Sequence, residues 1–194
     1  MREATTRRTT NETDIEVRVR LDGPGAADVS TGIGFLDHML TALALHGRFD
    51  VRLRCEGDLH VDDHHTVEDC ALALGQAIDE ALGRREGVRR FGSAYAPLDE
   101  ALCRAVIDLS GRPWAMVRLG LRRDRLGAMS CENIGHFFTS LATAMKATLH
   151  IDVLRGENDH HKAEAAFKSL ALALRQAVTV DGPADVPSTK GVLA

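Results

Sequence analysis

HHTVEDCALALGQAIDEALG, residues 64–83, and HHKAEAAFKSLALALRQAV, residues 160–178, decide the architecture of this 194-residue chain. Each opens on His-His-x-x-Glu and continues with apolar residues at the 3.6-residue spacing of an amphipathic helix. Working outward, the same order of elements surrounds both. TDIEVRVRL (13–21) alternates like a half-buried strand and ends in the turn Asp22-Gly23-Pro24-Gly25. A helix follows in GIGFLDHMLTALALHG (32–47), then a strand in 49–57, then the first histidine-pair helix, with Asp62 or Asp63 placed to cap it. The second copy runs through a strand at 101–111, a helix at 131–147 with Ile134, Phe137, Phe138, Leu141 and Met145 on one face, and a strand at 148–154. The second histidine-pair helix ends it.

Glu12 aligns with Glu100, His38 with His136, and His64-His65-x-x-Glu68 with His160-His161-x-x-Glu164. The offsets, 88, 98 and 96, differ little, which indicates an internal duplication. The expected class is α+β, with two pseudo-symmetric halves, each a small mixed sheet covered on one face by two helices. The halves are expected at 1–87 and 88–180, with the joint in RREGVRRFG (84–92). The Pro-, Gly- and Ser-containing tail, 181–194, reads as irregular unless a ligand orders it.

Composition narrows the function. Hydrophobic residues make up 44% and charged residues 27%, ordinary for a globular domain. No run reaches the roughly 18 apolar residues that a membrane span requires, and MREATTRRTTNETD lacks the apolar core of a secretory signal. A cytoplasmic protein is the expectation. A net charge of -4 provides no basic stripe for nucleic acid. Aromatic residues are only 4%, so the core must be built from Ala, Leu and Val. Cys55, Cys70, Cys103 and Cys131 stand far apart with no C-x-x-C pair, and read as buried reduced thiols.

The nine histidines carry the chemistry. On a helix, residues i and i+4 share a face, so His64 and Glu68 can hold one cation while His65, turned by about 100°, looks elsewhere. His160, Glu164 and His161 repeat the pattern. With His38 and His136 added, eight ligands suffice for two ions with three His and one Glu each. The partial positive charge at helix N-termini keeps the rings neutral for binding, and Asp62 and Asp63 are the expected acceptors for the non-ligating ring N–H groups. Imidazole and carboxylate without thiolate suit Mn, Fe, Co, Ni or Zn. A single HHxxE is equally well a solvated helix start; its duplication weighs against that. His38 alone would be a core histidine, His46 a helix C-terminal residue complementing the dipole, and His60 and His150 structural strand residues. Arg89 and Arg90 would be loop charges and Arg112 a turn residue.

GFLDHML, DDHHTVED, ENIGHFF, NDHHKAEAAFK and PSTKGVL, in this order, resemble the imidazoleglycerol-phosphate dehydratase family of histidine biosynthesis over essentially the whole chain. One departure is Gly135, where the family usually has an acidic residue that could serve His136 as an acceptor. The resemblance implies dehydration of imidazole-glycerol phosphate to imidazole-acetol phosphate, two Mn²⁺ per active site, a site built between subunits, and a homo-oligomer of 24 subunits. It implies His38, His64, His65, Glu68, His136, His160, His161 and Glu164 as metal ligands. Substrate contacts fall on Glu12, His46, Arg90, Arg112, Lys168, Ser188, Thr189 and Lys190, the Arg, Ser/Thr and Lys positions suiting the phosphate. The tail would then be ordered by ligand.

A side-chain carbon must lose a proton with no neighbouring carbonyl to take the electrons. An imidazolate held by two cations can take them, and hydroxide leaves through a diazafulvene-like intermediate. Glu12 is the expected acid/base, with Glu68 or Glu164 assisting. Two other readings compete. A dinuclear metallohydrolase would hold its ions roughly 3.5–4 Å apart around a bridging hydroxide, but no bridging Asp or carboxylate-rich loop accompanies the histidines. A purely structural metal would have every position filled by protein, which leaves Glu12 and the arginines without a role.

Overall fold

The computed structural model describes residues 2–182, 185–191 and 193; Met1 and the tail residues Pro183, Ala184, Val192 and Ala194 lie outside them. Among the described residues, ten strands and four helices run in the order β1 (Glu3–Thr9), β2 (Thr13–Arg20), β3 (Ala27–Ser30), α1 (Gly34–Gly47), β4 (Asp50–Gly57), α2 (His64–Leu82), β5 (Phe91–Leu98), β6 (Ala101–Asp108), β7 (Trp114–Arg118), β8 (Arg125–Leu126), β9 (Met129–Ser130), α3 (Cys131–Ala144), β10 (Thr148–Arg155) and α4 (Asp159–Ala177). The sheet orders β1-β2-β4-β3 and β5-β6-β10-β7 are the same arrangement twice. In each, three strands pair antiparallel and the fourth joins in parallel. The class is α+β with pseudo-symmetric halves, as the duplication requires.

Period-2 patterning orients the sheets. Ile15, Val17 and Val19 of β2, and Ala101, Cys103, Ala105 and Ile107 of β6, point inward, while alternate residues face out. The helices cover the inner faces. α2 lies on β1 and β2, α4 on β5 and β6, and the helices then pack on one another as α2 with α3 and α1 with α4. Gly92 shows how closely α4 sits on β5: a Cβ there would lie 1.9 Å from the Ala173 carbonyl oxygen. Phe137 and Phe138 of α3 meet Phe167 of α4 at ring-centroid distances of 5.1 and 4.6 Å, all three fully buried. Burial of each ring contributes about 2–3 kcal/mol, so this cluster is a main tie between the helices of the second half. Arg85, in the expected joint, is also buried. It donates to the carbonyls of Leu109, Met145 and Lys146 and pairs with Asp79.

Six strands go beyond the sequence expectation, among them the two-residue pair β8 and β9. β1 buries only Thr6 outright, β3 is short and largely exposed, and β7 is partly exposed; none presents a clean apolar alternation. β5 turns Gly92, Ala94 and Ala96 inward, residues too small to register as an apolar face. Three cysteines are buried and Cys131 partly so, all as free thiols. Burial lifts the Cys103 thiol to about 11, so it is inert. His60 lies in an exposed turn, not a strand, because the β4 ladder ends at Gly57; His150 faces out from β10.

Candidate metal centre and active site

The helix starts place the candidate ligands. The His64 backbone N–H donates to Asp62 Oδ1 (2.8 Å) and that of His160 to Asn158 Oδ1 (2.9 Å), so a side chain pins each histidine-pair turn. Two triads result. His64 and Glu68 of α2 converge with His136 of α3, and His160 and Glu164 of α4 converge with His38 of α1; the possible ligand atoms in each set lie within 4.8 Å of one another. Each triad joins a His–Glu pair from one half to a lone histidine from the other.

In the first triad, Glu68 Oε2 is 3.6 Å from His64 Nε2, and Glu68 Oε1 is 3.3 Å from His136 Nε2. The second contact is misaligned for hydrogen bonding, so His136 Nε2 is buried without a partner among the described residues. In the second triad, Glu164 Oε2 lies 3.3 Å from His38 Nε2 and 3.2 Å from His160 Nε2. Glu164 Oε1 pairs with Lys168 at 2.7 Å. Burial pushes the Glu164 carboxyl upward, but Lys168 and His38 outweigh it and leave the pKa below its ordinary value. Two imidazole nitrogens and a carboxylate facing a common point, one nitrogen buried and unpartnered, fit a divalent cation. His46 stands close to this triad, and burial and the Lys168 charge lower its pKa.

His65 and His161 face away from both triads. His65 Nδ1–H donates to Asp58 at 3.0 Å, and Nε2 faces Glu12 at 3.6 Å. His161 Nδ1–H donates to Glu100 at 2.7 Å. A carboxylate on Nδ1 raises the basicity of each ring and leaves Nε2 facing outward, the orientation a metal-binding histidine uses.

The expectation for Asp62 and Asp63 as ring acceptors is corrected. Asp62 caps α2, Asp63 turns to Ser130 at the start of α3, and the ring acceptors are Asn133 for His64 and Asp58 for His65. Side chains facing the α2 start from α3 and from the loop after β4 are closer to the rings than residues on its own turn. Sequence reading missed Asn133 and Asp58 because neither shares an element with the histidine it serves. Gly135 has open space where a Cβ would stand. Its counterpart Asp37 takes the Thr31 hydroxyl at 2.6 Å rather than His38.

The remaining expected contacts divide into two groups. His46 and Lys168 adjoin the second triad and Glu12 adjoins His65. Arg90, Arg112 and the tail lie at the other end of the second half. The Arg90 N–H donates to the carbonyl of Ala177, and its guanidinium holds Asp108 and the Pro187 carbonyl, which places the tail beside it. Ser188, Thr189 and Lys190 follow, their hydrogen bonds among described residues being local to the tail. Arg112 is exposed just beyond β6, its backbone N–H on the Ser110 hydroxyl. From His160 to Ala177, α4 spans roughly 25 Å at 1.5 Å per residue. One chain therefore does not bring these residues to its own triads.

The family model for imidazoleglycerol-phosphate dehydratase matches residues 31–174. The chain belongs to this family. A relative of that name from Candida glabrata is 55% identical over 97% of this chain and 98% of its own length. One from Phytophthora nicotianae is 61% identical over the whole of this chain, which spans 43% of that longer protein. A solved imidazoleglycerol-phosphate dehydratase from Pyrococcus furiosus, in complex with (S)-C348, superposes with a TM-score of 0.83 at 40% identity, covering 97% of this chain and 100% of that one. Membership makes the chain a carbon–oxygen lyase of histidine biosynthesis. Among the described residues, no helix is long and apolar enough to cross a membrane.

Proposed function

We propose that this chain dehydrates imidazole-glycerol phosphate to imidazole-acetol phosphate in the cytoplasm, at sites that hold two Mn²⁺ and are shared between copies of the chain. The observation that carries the reading is the pair of cross-half triads, one with a buried, unpartnered His136 Nε2. His38, His160 and Glu164 would hold one ion and His64, Glu68 and His136 the other, with His65 and His161 reaching a neighbouring copy's triads. Bound there, the ions supply Lewis acidity to the substrate's ring nitrogens.

Glu12 takes the proton from the carbon one bond beyond the ring-attached carbon. The hydroxyl on the ring-attached carbon leaves as water once protonated, and the resulting enol tautomerises to the ketone. Glu12 suits this role because it is half exposed, faces an imidazole nitrogen and has no ligand position in either triad. Lys168 and His46 orient the substrate's polar chain. Arg90, Arg112, Ser188, Thr189 and Lys190 of a neighbouring copy take the phosphate, because their distance from the triads within one chain leaves no other route to a common site. An assembly of 24 subunits belongs to the same reading.

The test is turnover of imidazole-glycerol phosphate with bound manganese counted in the same sample. Dehydration that requires about two Mn²⁺ per chain supports the proposal. Full turnover after chelation, or no manganese bound at both triads, overturns it. Light scattering measures the assembly, and a monomer that turns over at the full rate removes the shared site.

A further inference from the structure

Asp63 is only 4% exposed, yet it neither bonds a histidine ring nor caps α2 with its side chain. Both its oxygens go to Ser130, which precedes α3: the Ser130 backbone N–H donates to Oδ2 at 2.7 Å and the hydroxyl to Oδ1 at 2.7 Å. One turn further on, Asn133, also 4% exposed, places its Oδ1 3.0 Å from His64 Nδ1. The first turns of α2 and α3 are thus interlocked twice, once in each direction. These are the helices that supply the first triad, His64 and Glu68 from one and His136 from the other. The His64 and His136 rings stack at 4.8 Å, tilted by 23°.

No such clasp joins the helices of the second triad among the described residues. Asp159, the counterpart of Asp63, accepts from the backbone N–H groups of Arg122 and Arg123 and from Lys162. His160 instead meets the edge of Phe35 at 5.2 Å. The two triads are alike in ligands and unlike in support.

We infer that Asp63, Ser130 and Asn133 are positioning residues for the first triad alone. Asp63 fixes the α3 start through Ser130, so that His136 faces Glu68. Asn133 accepts the His64 Nδ1–H, which holds that ring in the tautomer whose Nε2 lone pair faces the cation. Asp63 and Asn133 are buried and Ser130 half-buried, and the hydrogen bonds among these side chains hold the two helix starts in one arrangement, which sets where three ligand atoms meet.

The inference rests on the reading that both triads hold a cation, so the probe is Mn²⁺ alone, titrated into the full chain. Manganese binding at both triads of the unaltered protein is the control; its absence defeats the earlier reading, not this one. Ser130→Ala and Asn133→Ala are each introduced where His38→Ala has weakened the second triad, and separately where His136→Ala has weakened the first. In the first background, manganese affinity is expected to fall about 10- to 100-fold. In the second it should not change. Ser130→Thr keeps the hydroxyl and Asn133→Asp keeps the acceptor, so each should restore affinity. Equal losses in both backgrounds, or no loss in the first, overturn the inference. Thermal unfolding of every variant accompanies the titration, because a merely structural role would lower the melting temperature without discriminating between triads.

Discussion

Glu12 and Glu100 occupy matching places in the duplicated chain, and the structure gives them opposite freedoms. Glu100 accepts from His161 Nδ1–H at 2.7 Å and from the backbone N–H groups of Glu157 and Asn158 at 3.1 and 2.8 Å. These donors, His161 foremost, bring its carboxyl to about 2. It stays ionised and fixed. In the first half the same task, holding Nδ1 of the second histidine, falls to Asp58. Glu12 is thereby released to face the opposite ring nitrogen at 3.6 Å. Duplication set two glutamates at equal positions; a nearby aspartate just after β4 relieved one of its structural duty. A group that must exchange protons has to be free of such duty, whereas a group that orients a ligand must not be.

This contrast can be broken experimentally. The largest effect is expected from Glu12→Gln, which should lower turnover by about 10²–10⁴ while leaving bound manganese unchanged. Near-normal turnover with metal retained would remove Glu12 from the chemistry. Glu100→Gln should act through His161 instead, weakening manganese binding by about 10- to 100-fold. If the two variants exchange these signatures, the assignment of free and fixed glutamates is reversed.

The residues preceding the histidine pairs sharpen the comparison. Burial pushes the Asp159 carboxyl upward, yet Lys162 and two backbone N–H groups bring it to about 2, below its ordinary 3.8. Its depressed pKa contributes stability that is complete above about pH 4 and is lost as pH falls toward 2, an effect of about 2 kcal/mol. Replacing the pair by Asp159→Asn with Lys162→Met should flatten that part of the acid-unfolding curve. An unchanged acid limb would show that the pair is not coupled to folding. The smallest effect is expected at Gly135, half-buried on α3 with open space around a Cβ. Gly135→Ala should raise stability by up to about 1 kcal/mol, the helix-propensity difference, with turnover unaffected. Measurable destabilisation would mean that the open position serves close packing after all.

Much of the fold was legible because the duplicated unit carries its own evidence. The apolar faces of α2, α3 and α4 and the alternation of β2 and β6 are long, periodic signals. β1, β3, β5 and β7 were not legible: their inward residues are few, small or polar, and tertiary packing supplies the burial that defines them. At the candidate site, i,i+4 spacing placed His64 with Glu68 and His160 with Glu164 and excluded His65 and His161 from those faces. Asn133 and Asp58 escaped notice because a ring's acceptor need only be near in space. Their residue types appear all along the chain with no pattern to single them out.

The sequence by itself determined which side chains share a helix face, since backbone geometry turns spacing into direction without reference to anything outside the helix. It also determined that the unit occurs twice. Only the tertiary structure decided that His136 meets Glu68 and His38 meets Glu164, that Asp63 serves Ser130 rather than a histidine, and that Glu12 and Glu100 differ. Those outcomes depend on how α1 packs on α4 and α2 on α3, and such packing is set by the complementarity of whole buried surfaces, not by any local run of residues.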